Sequence, residues 1–461
     1  MVIKPYIKTI ILFLITFGCL FILNIVNIVH AADAANPPAS HSPRRIIKIS
    51  LRQAVKRALS NQGNILKAEH IVSEKIDLKK AADAGLLPNI AVNAGGIWAR
   101  TKNGYPAFAS ANGARELIGL VDLTVPIFVP KIYGEISLAG NKLKTARYKL
   151  SLARLFVAAK ITQYFYGIIL LKDEIKIERK ALDGAEKILT AVKIGYKAGS
   201  LPHFDVVQTE LIAANLQTNL EVLKSKAKAF ERMFLMEIFY DNVRNRNAKL
   251  SLLIPFRKSA GFNYNVPPIN RLISRAIKKQ PLIKIADAKI NSARAYVSIN
   301  KAGKLPSIQG GAAYGEDTVN SFDAPNLGWQ FFVMLNVPIY NFGLHSDYID
   351  AANERLTALK SAESAVKLSV KKQLAMDYGQ AEASKKKLYG AKILVKKSRE
   401  VFIMTEKGYL AGAFNALELQ AAQNNEIKSR IEFTKAVNEF YLAISQLDID
   451  MGIIPSGDGK L

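Results

Sequence analysis

The side chains that most often carry out catalysis or bind metals do not occur here in spacings that support either function. The five histidines are His30, His41, His70, His203 and His345, and no two of them form an HExxH pair or another ligand spacing. The sequence also contains no Walker loop, no Gly-x-Ser-x-Gly elbow and no dinucleotide fingerprint. We therefore predict a protein that is not an enzyme, with no catalytic residues, no metal site and no cofactor.

Two short motifs recur in the chain, and each is followed by an acidic residue. Gly195-Tyr196-x-Ala198-Gly199 recurs 213 residues later as Gly408-Tyr409-x-Ala411-Gly412. An acid follows each motif near the start of a predicted helix, Asp205 in the first case and Glu418 in the second. A carboxylate in a first helical turn complements the helix dipole, and Asn415 with Glu418 has capping-box spacing. The spacing alone therefore predicts that the two acids stabilise the starts of their helices.

The elements that must position these groups occur twice in the sequence. Ala58-Leu59-Ser60-Asn61-Gln62 recurs as Ala276-Ile277-Lys278-Lys279-Gln280 at an offset of 218, and Val125-Pro126-Ile127 recurs as Val337-Pro338-Ile339 at an offset of 212. These landmarks keep their order over nearly 200 residues, which chance explains poorly. We infer an internal duplication.

Stretches without proline predict the longest elements. No proline occurs in residues 131–201 or 339–454, and both stretches are rich in Ala, Leu, Lys and Glu. We predict two long helices, each followed by a return helix: 131–198 with 202–240, and 343–411 with 415–450. Gly199 and Gly412 stop the long helices, so that each copy forms a helical hairpin. A helix of 68 residues is about 100 Å long and needs neighbours along its length.

Alternating apolar residues before each long helix predict pairs of β-strands. The strands are expected at 89–100 and 117–128 in the first copy, and at 307–316 and 328–339 in the second. Strands of ten to twelve residues with one apolar face fit a transmembrane barrel, and two soluble hairpins are the alternative. Four strands cannot close a barrel in lipid, so a barrel requires several chains. Aromatic residues lie at the strand-to-helix junctions, as in an aromatic girdle: Phe128, Tyr133, Tyr340 and Phe342.

Composition and the N-terminus predict an exported protein. The chain has 461 residues, 49% hydrophobic and 22% charged, which is too apolar for disorder and too polar for a bundle of membrane helices. Lys4 and Lys8 precede an apolar run, which predicts a signal peptide over 1–31, with an uncleaved anchor as the alternative. The only cysteine, Cys19, lies within this segment, so disulfides are not expected in the mature chain. The net charge of +26 alone is compatible with a nucleic-acid binder, a membrane-surface protein or a chain from an environment that favours basic surfaces.

Together these residues resemble the TolC-like outer-membrane efflux proteins. The resemblance covers residues 50–454, and its most specific pieces are the two Val-Pro-Ile strand ends, Gly343 at the start of the second long helix, and the two Gly-Tyr-x-x-Gly tips. It implies a homotrimer in which three chains of four strands form a twelve-stranded barrel in outer-membrane lipid, continued by a helical tunnel in the periplasm. It also implies a passive exit duct of a tripartite efflux or type I secretion system, docked through a periplasmic adaptor to an inner-membrane pump.

The resemblance also implies roles at the hairpin tips, where the family closes its tunnel. Tyr409 matches the family's gate tyrosine, Glu418 an aspartate that faces the pore, and Asp205 an aspartate that takes an arginine from the neighbouring chain. Tyr196, the counterpart of Tyr409, is assigned to the same gate. Phe414 replaces the arginine and Ala421 replaces a second pore aspartate, so packing of Phe414, for example on Phe204, is expected in place of the ion pair. The expected adaptor-docking residues are Gly195, Gly199, Gly408 and Gly412.

The predicted fold is mainly α with a transmembrane β-barrel. Its segments are a signal peptide (1–31), an N-terminal tail (32–48), a first repeat (49–240), a linker or equatorial segment (241–268), a second repeat (269–454) and a C-terminal tail (455–461). The alternative function is that of an exported helical structural or nucleic-acid-binding protein. Such a binder would interleave aromatic residues with Lys and Arg on one surface. Here the aromatic residues gather at strand ends and the charged residues are scattered over the helices, so we predict no nucleic-acid partner.

Overall fold

The computed structural model describes residues 46–98, 101–102, 105–106, 115–239, 249–253, 266–318 and 328–455. The predicted signal peptide, most of the N-terminal tail, and residues 456–461 lie outside these ranges. Within them the chain is mainly helical, and an order of two helices, two long strands and two longer helices occurs twice.

In chain order the elements are β1 (Ile46–Ser50), α1 (Leu51–Asn61), α2 (Gly63–Ala84), β2 (Asn89–Trp98), β3 (Thr101–Lys102), β4 (Tyr105–Pro106), β5 (Arg115–Phe128), α3 (Pro130–Lys197), α4 (His203–Phe239), β6 (Lys249–Leu253), α5 (Ile269–Lys279), α6 (Pro281–Ala302), β7 (Ser307–Thr318), β8 (Gly328–Asn336), α7 (Leu344–Leu410) and α8 (Ala416–Asp450). β8 ends at Asn336, before the Val-Pro-Ile sequence that we had placed in it, whereas β5 contains the equivalent Pro126 next to a register shift. Proline has no N–H for a ladder, so inside a strand that is paired on both sides, such as β5, it is confined to irregularities of this kind.

Four long strands form one antiparallel sheet in the order β2-β5-β7-β8. The pairing of β5 with β7 joins the two copies, while β2 and β8 occupy the two edges. Gly311 permits the close approach within this sheet, because a Cβ there would overlap the carbonyl oxygen of Leu123 and the ring of Phe332.

The register of the sheet sorts its residues into two faces of different chemistry. One row across the four strands is Val92, Val121, Tyr314 and Trp329, and the other rows of this face are also mainly apolar or small: Ile90, Leu123, Ala312, Phe331, Gly310, Val333 and Leu335. The opposite face carries Asn89, Asn93, Asp122, Thr124, Gln309, Gln330 and Asn336 among small and apolar residues. Val92, Trp329 and Phe331 are 75%, 69% and 79% exposed in the single chain. A continuous exposed apolar face of this kind requires a covering apolar phase or a partner.

The helices pack around α3, which contacts α4 in its own copy and α6 and α8 in the other. The largest core cluster joins β1, α1, α3 and α4 around the fully buried rings of Phe165 and Phe234. Tyr166 of α3 stacks on Tyr441 of α8 at 5.9 Å between ring centroids, which links the two copies at the same level. α3 is long and apolar enough by composition to cross a membrane, and 44% of its most apolar window is buried by these contacts.

A second, two-stranded sheet was not predicted from the sequence. β1 pairs in parallel with β6, so that residues assigned to the N-terminal tail and to the linker lie side by side. Ile49 of β1 is fully buried, and Ser50 and Gln53 form a capping box at the start of α1. The linker is therefore anchored to the start of the first copy.

Candidate functional site at the helix tips

Both long helices end in the same hydrogen-bonded turn. At the first tip Ser200 N donates to Gly195 O at 2.9 Å and Gly199 N to Tyr196 O at 3.0 Å. At the second tip Ala413 N donates to Gly408 O at 2.8 Å and Gly412 N to Tyr409 O at 3.0 Å. This is the Schellman pattern, and it places Gly199 and Gly412 at φ 74° and 76°, where L side chains are strained.

An apolar side chain covers the glycine in the last turn at each tip. A Cβ on Gly195 would lie 2.7 Å from the Leu201 side chain, and a Cβ on Gly408 would overlap the ring of Phe414. Leu201 and Phe414 are equivalent at the offset of 213. Phe414 therefore packs within its own tip. The sequence predicts Phe204 as its partner, but the structure records no ring contact between Phe414 and Phe204, both of which lie in the described part of the chain. The predicted substitute for an ion pair is thus a contact that shapes the turn.

We expect Gly408→Ala to lower the stability of the protein by about 1–3 kcal/mol, because the new methyl group overpacks against the Phe414 ring. Thermal unfolding of the detergent-solubilised protein measures this effect. Gly390→Ala is the matched control, since Gly390 lies in the same helix with no atom within 4 Å of its would-be Cβ, and alanine favours helix. Phe414→Ala should restore most of the loss in the double variant, and equal losses for Gly408→Ala and Gly390→Ala would contradict the packing.

Tyr409 and Asp205 come together from different copies. The Tyr409 hydroxyl is buried and has no hydrogen-bond partner among the described residues. Burial raises the pKa of this phenol, and the Asp205 carboxylate raises the pKa further. A cavity of about 10 Å³, room for about one water molecule, adjoins Tyr409 and is lined also by Thr209, Gln420 and Gln423. The second hairpin tip is thereby connected to the first return helix.

Tyr196 has a different environment from its counterpart. It is exposed, and its ring packs on His203 with 5.3 Å between centroids. The two motifs thus have the same backbone geometry, but their tyrosine side chains lie in different environments. Of the two tyrosines, only Tyr409 lies at the boundary between the two copies.

Glu418 forms the capping box that its spacing predicts. Asn415 N donates to Glu418 Oε2 at 2.9 Å, and Glu418 N donates to Asn415 Oδ1 at 2.9 Å. The side chain is exposed, and one carboxylate oxygen holds the cap, which leaves Oε1 for other interactions. A cap and a pore-facing charge are therefore compatible at this position.

Sequence reasoning missed the contact between the two return helices. Gln208 Nε2 donates to Gln420 Oε1 at 2.5 Å. The two glutamines stand at an offset of 212, so the equivalence of positions was the available signal.

The four junction aromatics lie between the sheet and the long helices. Phe128 ends β5, Tyr133 lies in the first turn of α3, and Tyr340 and Phe342 connect β8 to α7. The rings of Tyr340 and Phe342 are 4.8 Å apart and largely exposed. Phe342, at φ 52°, and Gly343, at φ 87°, make the turn into α7. Exposed aromatic rings at this level suit a membrane interface. Among the described residues no group of three or more His, Cys, Asp or Glu side chains could hold a metal ion.

The family model described as outer membrane efflux protein matches residues 54–233 and 272–448, one stretch in each copy. This match spans most of the chain, so the chain belongs to the outer membrane efflux protein family, and the predicted resemblance is confirmed. Its location is the outer membrane, and its role is in efflux transport.

Two characterised relatives align over about two thirds of the chain. The cobalt-zinc-cadmium resistance protein CzcC of Cupriavidus metallidurans is 20% identical over 320 residues, 69% of this chain and 72% of CzcC. The pyoverdine export outer membrane protein OpmQ of Pseudomonas aeruginosa is 23% identical over 321 residues, 66% of this chain and 65% of OpmQ.

Solved structures share the fold. The outer membrane protein VceC from Vibrio cholerae matches with a TM-score of 0.74 at 14% identity, over 88% of this chain and 97% of VceC. CusC matches with a TM-score of 0.76 at 14% identity, over 92% of this chain and 99% of CusC. The predicted mainly helical fold with paired strands agrees with these channel structures.

Proposed function

We propose that this protein is the passive exit duct of a tripartite efflux or type I secretion system, gated at its periplasmic helix tips. The observation that carries the proposal is the continuous apolar face of the four-stranded sheet, attached directly to helices of about 100 Å. A lipid-covered sheet and a long helical segment are the two parts that an outer-membrane duct needs. The same face and the family match count against an exported nucleic-acid-binding protein.

The unpaired edges of the chain support a closed ring of several copies. The edge strand β2 follows α2 in the chain, and the other edge strand, β8, precedes α7. The helices α2 and α7 are therefore connected to the two opposite edges of the sheet. α7 carries exposed apolar side chains, among them Met376, Leu394 and Met404. In lipid an open strand edge is not tolerated, so β2 of one copy would pair with β8 of the next. The resemblance to the family sets the number at three and the barrel at twelve strands.

The partners follow from what the chain lacks and from its tips. Because the sequence has no nucleotide site, an inner-membrane pump supplies the energy, and a periplasmic adaptor docks at the tip glycines Gly195, Gly199, Gly408 and Gly412. CzcC is named for metal resistance and OpmQ for pyoverdine export, so members of this family serve different cargoes. The cargo is accordingly chosen by the pump.

The proposed gate combines a polar and an apolar part. Tyr409, Asp205 and Glu418 supply the polar groups, while Phe414 holds the turn and Tyr196 packs on His203 at the first tip. The aromatic rings of Phe128, Tyr133, Tyr340 and Phe342 mark the membrane interface in this arrangement.

Cross-linking of the detergent-solubilised protein is expected to give dimers and trimers and to stop at three, because the two edges close the ring only between chains. The bands are read by denaturing electrophoresis, with protein unfolded in detergent by heat before cross-linking as the control for random collisions. A stable monomer inserted in membranes, or a ladder that continues beyond three, would contradict the assembly.

A further inference from the structure

The end of α8 forms a joint with the start of α6. Ile453 N donates to Asp448 O at 2.8 Å and Gly452 N to Ile449 O at 2.9 Å, which closes α8 in a Schellman turn. The amide Nε2 of Gln280 donates to Asp450 O at 2.8 Å and to Ile449 O at 3.3 Å. Gln280 immediately precedes α6, so this residue holds the last carbonyl groups of α8 against the next helix.

The first copy has the equivalent joint, and there the carboxylate of Glu237 is neutralised by a lysine. Asn61 Nδ2 donates to Ile238 O at 3.1 Å, and Gln62 Nε2 donates to the Glu237 carboxylate at the end of α4. The Lys160 ammonium group forms an ion pair with the same carboxylate. Each recurring glutamine thus binds the return helix of its own copy, which explains the repeated sequence that ends in Gln62 and Gln280.

The second copy replaces the lysine partner with another carboxyl group. Asp450 stands at the offset of 213 from Glu237, and its carboxyl group lies within hydrogen-bonding distance of Asp377 of α7. Asp450 is 8% exposed; its Oδ1 accepts from Gln446 Nε2 at 2.9 Å, and its Oδ2 has no donor among the described residues. Asp377 also accepts one amide hydrogen bond, from Gln373 Nε2 at 2.8 Å, but it is less buried than Asp450, which makes Asp450 the member of the pair that carries a proton.

A second buried acid lies in the same last turn. Asp448 is 8% exposed, its Oδ1 lacks a donor among the described residues, and it faces Tyr166 of α3. Within the described part of the chain no Lys or Arg forms an ion pair with Asp448 or Asp450. The groups facing this joint are Asp377 from α7, Tyr166 from α3, Tyr441 from α8 itself and the neutral amide of Gln280.

Three physical effects disfavour negative charge at this joint. Burial penalises both carboxylates, the C-terminal end of a helix is the negative end of its dipole, and Asp377 repels a charged Asp450. Burial, with Asp377 adding to it, raises the pKa of Asp450 to about 8, and burial raises the pKa of Asp448 to about 7.

We propose that the end of α8 is a proton-dependent clamp, in which the protonated Asp450 donates a hydrogen bond to Asp377 and so fastens α8 to α7. Loss of this proton leaves two carboxylates side by side and loosens the joint. Glu418 lies in the first turn of the same helix, at the end opposite to the clamp. The clamp is a property of the single chain and does not depend on the number of copies or on cargo.

The sign of the pH effect follows from the direction of the shift. A carboxyl group whose pKa is raised in the folded state favours folding fully below its ordinary pKa of 3.8, where it is protonated in both states. This contribution declines as the pH rises and is lost once the pH passes about 8. Alkaline conditions should therefore loosen the joint locally.

Hydrogen exchange of the full-length protein in detergent tests the clamp. After correction for intrinsic rates, we expect protection of residues 440–453 to fall by at least about tenfold between pH 6 and pH 9 in the natural chain. In the variant with both Asp448→Asn and Asp450→Asn, protection should stay within about twofold over this range, because neutral amides mimic the protonated acids. Residues 230–239 at the first joint are the internal control, and they should not lose protection over this range.

Two further variants keep the test decisive. Asp377→Asn retains both buried aspartates and should make the loss of protection smaller and complete at lower pH, because removal of the neighbouring carboxylate lowers the pKa of Asp450. Glu237→Gln is the matched control in the other copy; it should weaken the first joint and leave the pH response of residues 440–453 unchanged. Equal protection of the natural chain at pH 6 and pH 9, or an equal loss in the double Asn variant, would overturn the clamp and would leave the proposed duct untouched.

Discussion

Phe331→Lys is expected to prevent stable insertion of the protein in outer membranes, whereas Gln330→Lys is expected to insert as the natural chain does. The two residues are adjacent in β8 and point to opposite faces of the sheet. Phe331 lies opposite Ala312 on the apolar face, and Gln330 lies opposite Ala313 on the face with Asp122 and Asn93. A lysine facing lipid near the bilayer midplane costs about 2–4 kcal/mol per chain, which would be roughly 6–12 kcal/mol for the proposed trimer.

The amount of folded, urea-resistant protein in isolated outer membranes measures this difference. Phe331→Leu is the control for loss of the ring alone, since it keeps the face apolar and should insert normally. If the two lysine variants insert equally well, the assignment of the faces is wrong. If Gln330→Lys is the one excluded, the sheet faces lipid with its polar side.

The sequence predicted the elements whose signals are local. Strand alternation and the spacing of proline indicated the β2–β5 and β7–β8 pairs and both long helices, and the structure places Pro130 at the start of α3 and Gly412 after the end of α7. The capping box of Asn415 and Glu418 was also visible as a spacing of three. Each of these features depends on residues close together in the chain.

The features that the sequence did not reveal depend on contacts between distant residues. β1 and β6 are five residues each and about 200 positions apart, so neither carries enough alternation to predict the parallel pair. Phe414 packs on Gly408 because the Schellman turn brings the two together, which only the folded tip defines. The roles of Gln62 and Gln280 require the ends of α4 and α8 to be in place.

Differences between the two copies indicate where each one is specialised. Glu237 has Lys160 as a partner where Asp450 has Asp377, and Tyr196 is exposed where the hydroxyl of Tyr409 is buried. In both cases the second copy buries a polar group, the Asp450 carboxyl or the Tyr409 hydroxyl, at a contact between helices. Two copies with the same backbone can therefore differ in function: one hairpin supports the structure, and the other contains the groups that can respond to pH.

Glu418→Gln is expected to weaken block of the duct by divalent cations by at least about tenfold, because three carboxylates would converge at a threefold axis and their removal takes about 1.4 kcal/mol or more from cation binding. The measurement is conductance in a planar bilayer with increasing divalent cation. Gln keeps the capping geometry, since its side-chain oxygen can accept from Asn415 N as Glu418 Oε2 does.

Two companion variants separate the pore charge from the helix cap. Asn415→Ala removes the side chain that accepts from Glu418 N, so it should lower thermal stability by about 1 kcal/mol and leave cation block as it was. Glu418→Ala removes both the charge and its part of the cap, so it should lower stability and also relieve block. The three variants therefore give three different pairs of readings if Glu418 faces the pore. Should Gln leave block and conductance unchanged while both Ala variants merely lower the unfolding temperature, Glu418 is a capping residue and the cation-binding part of the gate lies elsewhere.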